Sequence, residues 1–310
     1  MQLFGAGWLN EHLAGVISSG VRGNGLLNVA ADDFFAAPLP LPPLPEQRKI
    51  AAILSSVDEA IQATQAVIGQ TRRVKEGLLQ DLLTRGIGHT RFKQTEIGEI
   101  PESWEVSTAS ALLDQGVLLG LQDGNHGSEY PRREEFGTSG LPYLAASGID
   151  PDGNIDWGNL PRLGVERSNQ LRIRPAQGGD VILTHNGTVG RVTRIPPHTE
   201  TVVLSTTTTF YRCDNIRLDA DFLAAYFQSP PFQQQLRSIM SQTTRNQVPI
   251  TAQRRLYLVL PPTQEQRRIT AVCESCNHLV GAYSAELRSL RCSKAGLLQD
   301  LLTGRVRVAA

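Results

Sequence analysis

Two short stretches hold the side chains best suited to contact the edges of nucleic-acid bases. One runs from Thr184 to Arg191 (THNGTVGR) and the other from Ser241 to Gln247 (SQTTRNQ). Asn and Gln can pair bidentately with adenine in the major groove, and Arg can pair with guanine in the same way. The interpretation stays open at this point, because a polar, glycine-punctuated stretch can equally be a solvent-facing turn whose polarity serves solubility.

Arginine is concentrated in the same region of a chain that is neutral overall. The 30 Lys and Arg residues balance 30 Asp and Glu residues, which excludes a globally basic nucleic-acid-binding protein but not a locally basic one. Six arginines and two acids lie between Arg162 and Arg194, and four arginines and no acid lie between Phe232 and Tyr257. These stretches could form a surface that follows phosphates, or their arginines are simply solvated or paired.

The sequence lacks the motifs of common enzymes. It contains no Gly-Lys dipeptide, which a Walker phosphate-binding loop requires, and no Gly-x-Ser-x-Gly nucleophile motif. It also lacks the Asp-Pro-Pro-Tyr or Asn-Pro-Pro-Tyr tetrapeptide with which an amino-methyltransferase holds its target base. The six histidines show no metal-ligand spacing. We predict no catalytic residue, metal or cofactor in this chain, and an enzyme is the weakest interpretation.

An internal repeat with a constant offset of 219 residues organises the chain. Leu41–Thr84 align with Leu260–Thr303 without a gap and share 21 of 44 residues. Each copy follows a Pro-Pro pair and carries an acid in its first turn, Glu46 or Glu265, where it suits the helix dipole. Apolar residues then recur at alternating steps of four and three, which is typical of coiled coils. The predicted seam of the first copy is Ile50, Leu54, Val57, Ile61, Thr64, Ile68, Thr71, Lys75, Leu78 and Leu82.

We therefore predict one long helix from each copy, with the two apolar stripes buried against each other in a coiled coil, although helices of another protein could bury the same stripes. Cys273 and Cys276 have the spacing of a metal or redox pair, but they align with the apolar seam residues Leu54 and Val57. Both cysteines are thus interpreted as small core hydrophobes. A glycine within each helix costs about 1 kcal/mol relative to alanine, so close packing or a partner contact is expected there.

The segment between the repeats has the composition of an α+β domain. It is rich in Gly, Pro, Asp, Asn and Thr, with β-like runs at 181–184, 189–195, 201–211 and 256–260 and a helix over 220–240 that is split near Pro230. The predicted parts are residues 1–45, a first helix 46–86, the α+β domain 87–262, and a second helix with its tail 263–310. No apolar run approaches the roughly 18 residues of a membrane helix and no secretory signal is recognisable, so a cytoplasmic location without membrane contact is expected.

Several motifs resemble the specificity (S) subunit of type I restriction–modification systems. They are the twice-occurring Pro-Pro-x-x-Glu-Gln-Arg pattern, the repeated end motif GLLQDLLT, and residues 95–106 (TEIGEIPESWEV). Residues 179–190 are similar to part of that family's target-recognition domain. The resemblance implies two recognition domains that alternate with two antiparallel helices, each domain reading half of a split DNA site. Residues 1–45 would then be a remnant of the first recognition domain, and residues 87–262 a complete one.

The resemblance also implies partners. Catalysis would belong to methyltransferase (M) subunits that use S-adenosylmethionine and to a restriction (R) subunit that uses ATP and Mg, while this chain binds double-stranded DNA. A truncated reading frame and a functional partial subunit both remain open. The alternative function is a non-catalytic coiled-coil assembly module whose inserted domain binds protein.

These arguments assign two sets of residues. The predicted DNA-binding residues, with Arg191 and Arg194 placed on phosphates, are His185, Asn186, Thr188, Arg191, Arg194, Arg245, Asn246 and Gln247. The end motif is repeated more faithfully than packing requires, which predicts a subunit interface. Its residues are Gly77, Gln80, Asp81, Gly296, Gln299 and Asp300.

Overall fold

The computed structural model describes residues 31–36, 41–124, 126–127, 130–199, 201–242 and 246–308. The chain divides into two compact units, residues 1–73 with 277–310 and residues 74–276. Most of the predicted remnant, residues 1–30 and 37–40, lies outside the described residues. The helices are α1 Ala31–Phe35, α2 Leu44–Thr84, α3 Ala109–Asp114, α4 Val165–Asn169, α5 Ala220–Gln228, α6 Pro230–Met240, α7 Ile250–Gln253 and α8 Thr263–Leu302.

The two long helices match the repeat. Helix α2 has 41 residues and α8 has 40, and the second begins directly after Pro261-Pro262. Each ends just before a glycine with positive φ, Gly86 at 66° and Gly304 at 71°. Glycine adopts this left-handed conformation without the steric cost of a side chain, and it therefore stops a helix. The prediction of one long helix from each copy is confirmed.

In the unit of residues 1–73 and 277–310, the start of α2 lies against the end of α8. The guanidinium of Arg307 donates two hydrogen bonds of 2.7 Å to the carboxylate of Glu46. Further along, Lys294 Nζ lies 2.6 Å from Asp58 Oδ1. Ile50 and Leu54 share an apolar cluster with Leu301, Leu297 and Leu298. The residue numbers rise along one helix as they fall along the other, so the pairing is antiparallel, as predicted.

The unit of residues 74–276 contains the opposite ends of both helices. Leu79 and Leu83 of α2 belong to the same core as Ile269 and Cys273 of α8. The seam prediction is wrong at this end, because Leu78 is 36% exposed whereas Leu79 and Leu83 are 4% and 1% exposed. The buried positions thus move from the heptad position Leu78 to its neighbour Leu79, because a straight helix of 3.6 residues per turn drifts away from a strict heptad repeat. The drift is tolerated because this end packs into a globular core.

The α+β domain contains two four-stranded sheets and two small two-stranded ones. Their strand orders are β10-β6-β7-β5, β4-β11-β8-β9, β1-β2 and β12-β3. The strands are β1 Phe92–Thr95, β2 Gly98–Pro101, β3 Glu105–Thr108, β4 Leu118–Asp123, β5 Phe136–Gly137, β6 Leu141–Leu144, β7 Arg162–Leu163, β8 Val181–Asn186, β9 Thr188–Arg194, β10 Val203–Leu204, β11 Thr208–Cys213 and β12 Tyr257–Leu260.

Strands β8 and β11 have apolar residues on both faces and so separate two cores. Val181 and Leu183 face the larger core with Tyr211, whereas Ile182 and Phe210 face the smaller one. Successive side chains of a strand point to opposite faces, so an unbroken apolar run marks a strand that is covered on both sides. The predicted break in the helix over 220–240 is also confirmed, since Ser229 ends α5 and caps α6 through its hydroxyl.

A glutamate in the first turn of each long helix binds the chain that leaves the other helix. Glu46 accepts hydrogen bonds from Arg307 and from the backbone N–H of Val308. Its counterpart Glu265 accepts hydrogen bonds from the Ile87 backbone N–H at 2.9 Å and from Trp104 Nε1 at 3.0 Å. His89 Nε2 lies 2.8 Å from the same carboxylate. Both glutamates are buried, so their role exceeds the dipole interaction expected from their positions.

The cysteine pair in α8 lies inside the protein. Cys273 and Cys276 are buried, free thiols, as the alignment with apolar seam residues predicted. Burial raises the pKa of Cys273 to about 11, so this thiol stays protonated at neutral pH. Within the described residues, no group of three or more His, Cys, Asp or Glu side chains could hold a metal ion. The described helices also include none with the length and apolarity needed to cross a membrane.

Proline at Ile61 should disrupt α2 about one turn beyond the contact between Asp58 and Lys294. The substitution removes a helix hydrogen bond and introduces a steric clash, and we expect the free energy of unfolding to fall by about 3 kcal/mol or more. Ile61→Val keeps the helix and should cost only about 0.5–1.5 kcal/mol. Urea unfolding followed by circular dichroism measures both variants. Wild-type stability in Ile61→Pro would contradict the helix pairing.

The contact between Glu46 and Arg307 should make stability depend on acid pH. The hydrogen bond from Arg307 lowers the pKa of Glu46 below its ordinary value of 4.5. Since the unfolded chain then binds the proton more readily, this contribution is complete above the ordinary value and is lost as the pH falls through the lowered one. Glu46→Gln should therefore flatten the fall in stability between about pH 5 and pH 3. Arg307→Ala should have a similar effect, and a wild-type profile in both variants would contradict the assignment.

Candidate nucleic-acid interface

A tight hairpin presents the first of the two polar stretches. Strands β8 and β9 pair antiparallel up to Asn186 and Thr188, and Gly187 forms the turn between them. Gly187 has φ of 72°, a conformation that costs little only for glycine. We call Asn186, Gly187 and Thr188 the hairpin tip.

The second polar stretch lies directly beside the hairpin tip. Gln247 forms an antiparallel bridge with Asn186, and the Gly187 backbone N–H donates to the Asn246 carbonyl at 3.1 Å. The next residue, Val248, donates its N–H to the His185 carbonyl at 2.8 Å. We call Asn246 and Gln247 the amide segment. Two stretches that are about 60 residues apart in sequence thus form one polar edge of the domain.

Side chains of this edge differ in their exposure. Thr188 and Asn246 are exposed, whereas Asn186 and Gln247 are half-buried. Arg245 lies outside the described residues. The exposed hydroxyl and amide groups are donors and acceptors of the kind that read base edges. Their assignment as DNA-binding residues stays a prediction.

His185 requires a correction, because it is inside the fold and does not face outward. His185 is only 5% exposed, and Nε2 of its ring has no hydrogen-bond partner among the described residues. Burial lowers the pKa of His185, which favours the neutral ring at physiological pH. Its backbone N–H and carbonyl instead connect β8 to Thr207 and Val248. His185 therefore supports the hairpin tip from within the domain.

The two arginines assigned to phosphates are also engaged by the protein itself. Arg194 Nη1 lies 2.8 Å from Asp221 Oδ1, in the first turn of α5. Arg191 Nη1 donates to the carbonyl of Ile149. The charge of Arg194 is thus paired with a carboxylate, although its side chain is 29% exposed, and its role on phosphates stays a prediction. The side chain of Arg191 therefore links β9 to the segment around Ile149.

Other arginines of the predicted basic stretch behave in the same way. Arg167 Nε lies 2.7 Å from Glu135 Oε1, and Arg162 Nη1 donates to the Gly140 carbonyl at 2.8 Å. The sequence left open whether the arginines follow phosphates or are solvated or paired within the protein. Arg167 and Arg162 are paired within the protein. These four arginines of the first basic stretch therefore hold parts of the domain together.

A glutamine that the sequence analysis did not select holds the other side of the hairpin. Gln233 of α6 donates from Nε2 to the Gly190 carbonyl at 2.9 Å and to the Phe227 carbonyl at 2.7 Å. Gly190 has φ of 92°, and a Cβ there would lie 2.4 Å from Gln233 Oε1. No local motif marks Gln233, because its partners are backbone groups that become neighbours only in the folded chain.

The residues of the predicted subunit interface lie at the surface of their helices. Gly77, Gln80 and Asp81 are exposed on α2 in one unit. In the other unit, Gly296 and Gln299 are exposed on α8, and the Asp300 side chain is 42% exposed. A Cβ at either glycine would meet no atom within 4 Å. Among the residues that the structure describes, no atom packs closely against these glycines, and a partner contact stays a prediction.

Comparison with known proteins identifies relatives for this arrangement of an α+β domain between paired helices. Residues 10–70 match the family model described as the type I restriction modification DNA specificity domain. The MjaVIII type I restriction enzyme specificity subunit of Methanocaldococcus jannaschii is 27% identical over 94% of this chain and 67% of that protein. The putative MjaX specificity subunit of the same organism is 26% identical over 87% of this chain. The chain covers 59% of that second relative.

A solved structure shares the fold. A chain from a study of complex assembly and conformational transition of the type I restriction–modification system superposes with a TM-score of 0.59 at 19% identity. The match covers 97% of this chain and 69% of that one. The likeness extends over nearly the whole chain and concerns its α+β fold with two long helices. The chain is related to the specificity subunits of type I restriction–modification systems, which confirms the resemblance inferred from its motifs.

Proposed function

We propose that this chain provides DNA sequence specificity to a type I restriction–modification complex. The observation that carries the proposal is the polar edge, in which the hairpin tip and the amide segment are hydrogen-bonded together. It occurs in a chain whose relatives are named specificity subunits. Exposed amide and hydroxyl groups on a rigid edge can discriminate base pairs, whereas phosphate contacts would mainly add affinity.

The chain itself performs no catalysis in this proposal. It binds double-stranded DNA in the cytoplasm and directs methyltransferase subunits, which supply S-adenosylmethionine chemistry, and a restriction subunit that uses ATP and Mg. The exposed end motifs on α2 and α8 are the docking residues for methyltransferase subunits. Support for docking comes from the exposure of Gln80, Asp81 and Gln299, which are identical or equivalent in the two repeats.

The alternative, an assembly module whose inserted domain binds protein, is less well supported. It would leave the kinship with DNA specificity domains unexplained. It would also give no reason for the polar edge to consist of amides and hydroxyls, because protein interfaces usually centre on aromatic and apolar side chains.

Selection from a randomised duplex pool with the full chain tests the proposal. Enrichment of a short motif is expected, and uniform retention of all duplexes would contradict it. Co-expression with a methyltransferase gene from the same genome, followed by methylome sequencing, provides a second test. Methylation at sites that contain the enriched motif, present only with this chain, is the expected result.

Alanine at Asn246 should reduce discrimination at one base position. Loss of a base contact is expected to cost about 1–3 kcal/mol on the enriched duplex and much less on a scrambled one. Arg245→Ala is expected to have the same effect. Gln242→Ala, an exposed residue of the same stretch, is the matched control. Binding is measured on both duplexes across a salt series, and equal losses on the two duplexes would demote Asn246 to a phosphate contact.

Charge reversal at both end motifs should weaken methyltransferase binding without unfolding the helices. The double variant Asp81→Lys and Asp300→Lys changes equivalent residues of the two repeats, one exposed and one partly exposed. Glu59→Lys with Glu286→Lys, at exposed acids outside the end motifs, is the control with the same change in charge. Co-purification with the methyltransferase and thermal melting are measured together. Equal recovery of the partner with both double variants would argue against docking at these motifs.

A further inference from the structure

Besides its own contacts with the hairpin tip, the amide segment is anchored by the residue that follows it, Val248. Val248 is fully buried, and its backbone N–H is bonded to the His185 carbonyl in β8. Its own carbonyl accepts a hydrogen bond of 2.9 Å from Gln253 Nε2. Both backbone groups of Val248 are therefore fixed, one by the hairpin and the other by a side chain.

Gln253 is a fully buried glutamine at the end of α7. Its amide donates a second hydrogen bond to Thr209 Oγ1 at 3.0 Å, and its carbonyl accepts one from the Tyr211 hydroxyl at 2.9 Å. Thr209 and Tyr211 are buried residues of the central strand β11, two positions apart, so their side chains lie on the same face. Gln253 thus connects the anchor of the amide segment to the middle of the sheet.

The orientation of this amide is determined by its partners. Two acceptors, the Val248 carbonyl and Thr209 Oγ1, face the NH2 group, and one hydroxyl donor faces the oxygen. Burial raises the pKa of Tyr211, so its hydroxyl keeps its proton and remains a donor. A flipped amide would place its oxygen against the Val248 carbonyl and lose these hydrogen bonds. The side chain therefore has one arrangement that satisfies the buried groups around it.

We propose that Gln253 is a positioning residue for DNA discrimination, which fixes the amide segment against the hairpin tip through Val248. This inference rests on the proposed function and deepens it by naming a residue that contacts no DNA. Bidentate pairing requires the donor and acceptor of the same amide to meet one base edge, so a small displacement of Asn246 removes discrimination. Attraction to phosphates tolerates such a displacement, because it depends weakly on direction.

Gln253→Met tests the inference, because it keeps the length of the side chain and removes its three hydrogen bonds. The matched control is Gln235→Met. Gln235 also makes three contacts, with the Tyr257 N–H at 2.9 Å, the Tyr257 carbonyl at 3.1 Å and the Tyr226 hydroxyl at 3.5 Å. These contacts join α6 to β12 and include no group of the hairpin tip or the amide segment.

The probes are the duplex enriched from the randomised pool and its scrambled version. Gln253→Met should reduce the ratio of the two affinities roughly tenfold, with scrambled-duplex binding and salt dependence unchanged. Gln235→Met should keep the wild-type ratio, even if it melts at a lower temperature. Equal ratios in the two variants, whether lowered or not, would overturn the positioning role.

Tyr211→Phe covers the case in which Gln253→Met fails to fold. It keeps the ring and removes only the hydroxyl that orients the amide, so a smaller loss of the same ratio is expected. An unchanged ratio in a folded Tyr211→Phe protein would then overturn the inference.

Hydrogen exchange separates failure of the inference from failure of the proposed function. If the wild type binds both duplexes equally, the DNA-reading proposal fails whatever Gln253 does. Exchange at the Gly187 and Val248 amides, measured without DNA, then decides whether Gln253 holds the two segments together. Faster exchange in Gln253→Met but not in Gln235→Met supports the positioning, and unchanged exchange contradicts it.

Discussion

The carboxylate in the first turn of each long helix is the contact on which this architecture depends. The chain that follows a helix carries backbone N–H groups that need acceptors where they are buried. Glu46 and Glu265 each supply one buried carboxylate that accepts such a hydrogen bond. Glu265 binds the Ile87 N–H and the Trp104 indole, so the entry into the α+β domain is held at the start of α8. Glu46 does the same for the segment around Arg307. An antiparallel arrangement follows directly, because only then does the end of one helix meet the start of the other.

Within the domain, the polar edge is held by side chains beneath it, of which Gln253 and His185 are buried and Gln233 is half-buried. The hairpin is supported from one side by Gln233 and the amide segment from the other by Gln253. His185 lies between them with both backbone groups bonded. This distribution suits a recognition surface, since exposed side chains such as Asn246 and Thr188 can differ between related proteins while the buried supports keep the backbone in place. Specificity can then change without refolding of the domain.

The repeat made much of the fold predictable from sequence. Aligned Pro-Pro pairs, first-turn acids and terminal glycines define both helix ends, and an apolar run defines β8 as a strand covered on both faces. Exposure within the polar stretches could not be predicted, because strand register decides which side chains face inward. His185 and Asn186 are neighbours in sequence, yet only the first is buried. The pairing of the arginines could not be predicted for a related reason, since partners such as Asp221 for Arg194 are distant in the sequence.

The identity of the two end motifs has a cause outside the packing of the chain. All eight residues of Gly77–Thr84 recur at Gly296–Thr303. Different positions are buried in the two copies, Leu79 and Leu83 in the first and Leu301 in the second. If internal packing alone governed these sequences, the buried positions would have diverged with their surroundings, as Leu54 and Cys273 did in mid-helix. An exposed surface that must present the same side chains twice requires instead that the two sequences stay the same. Such a surface fits a partner that meets both helix ends through one binding mode, and this is the physical basis for the proposal that a subunit interface lies there.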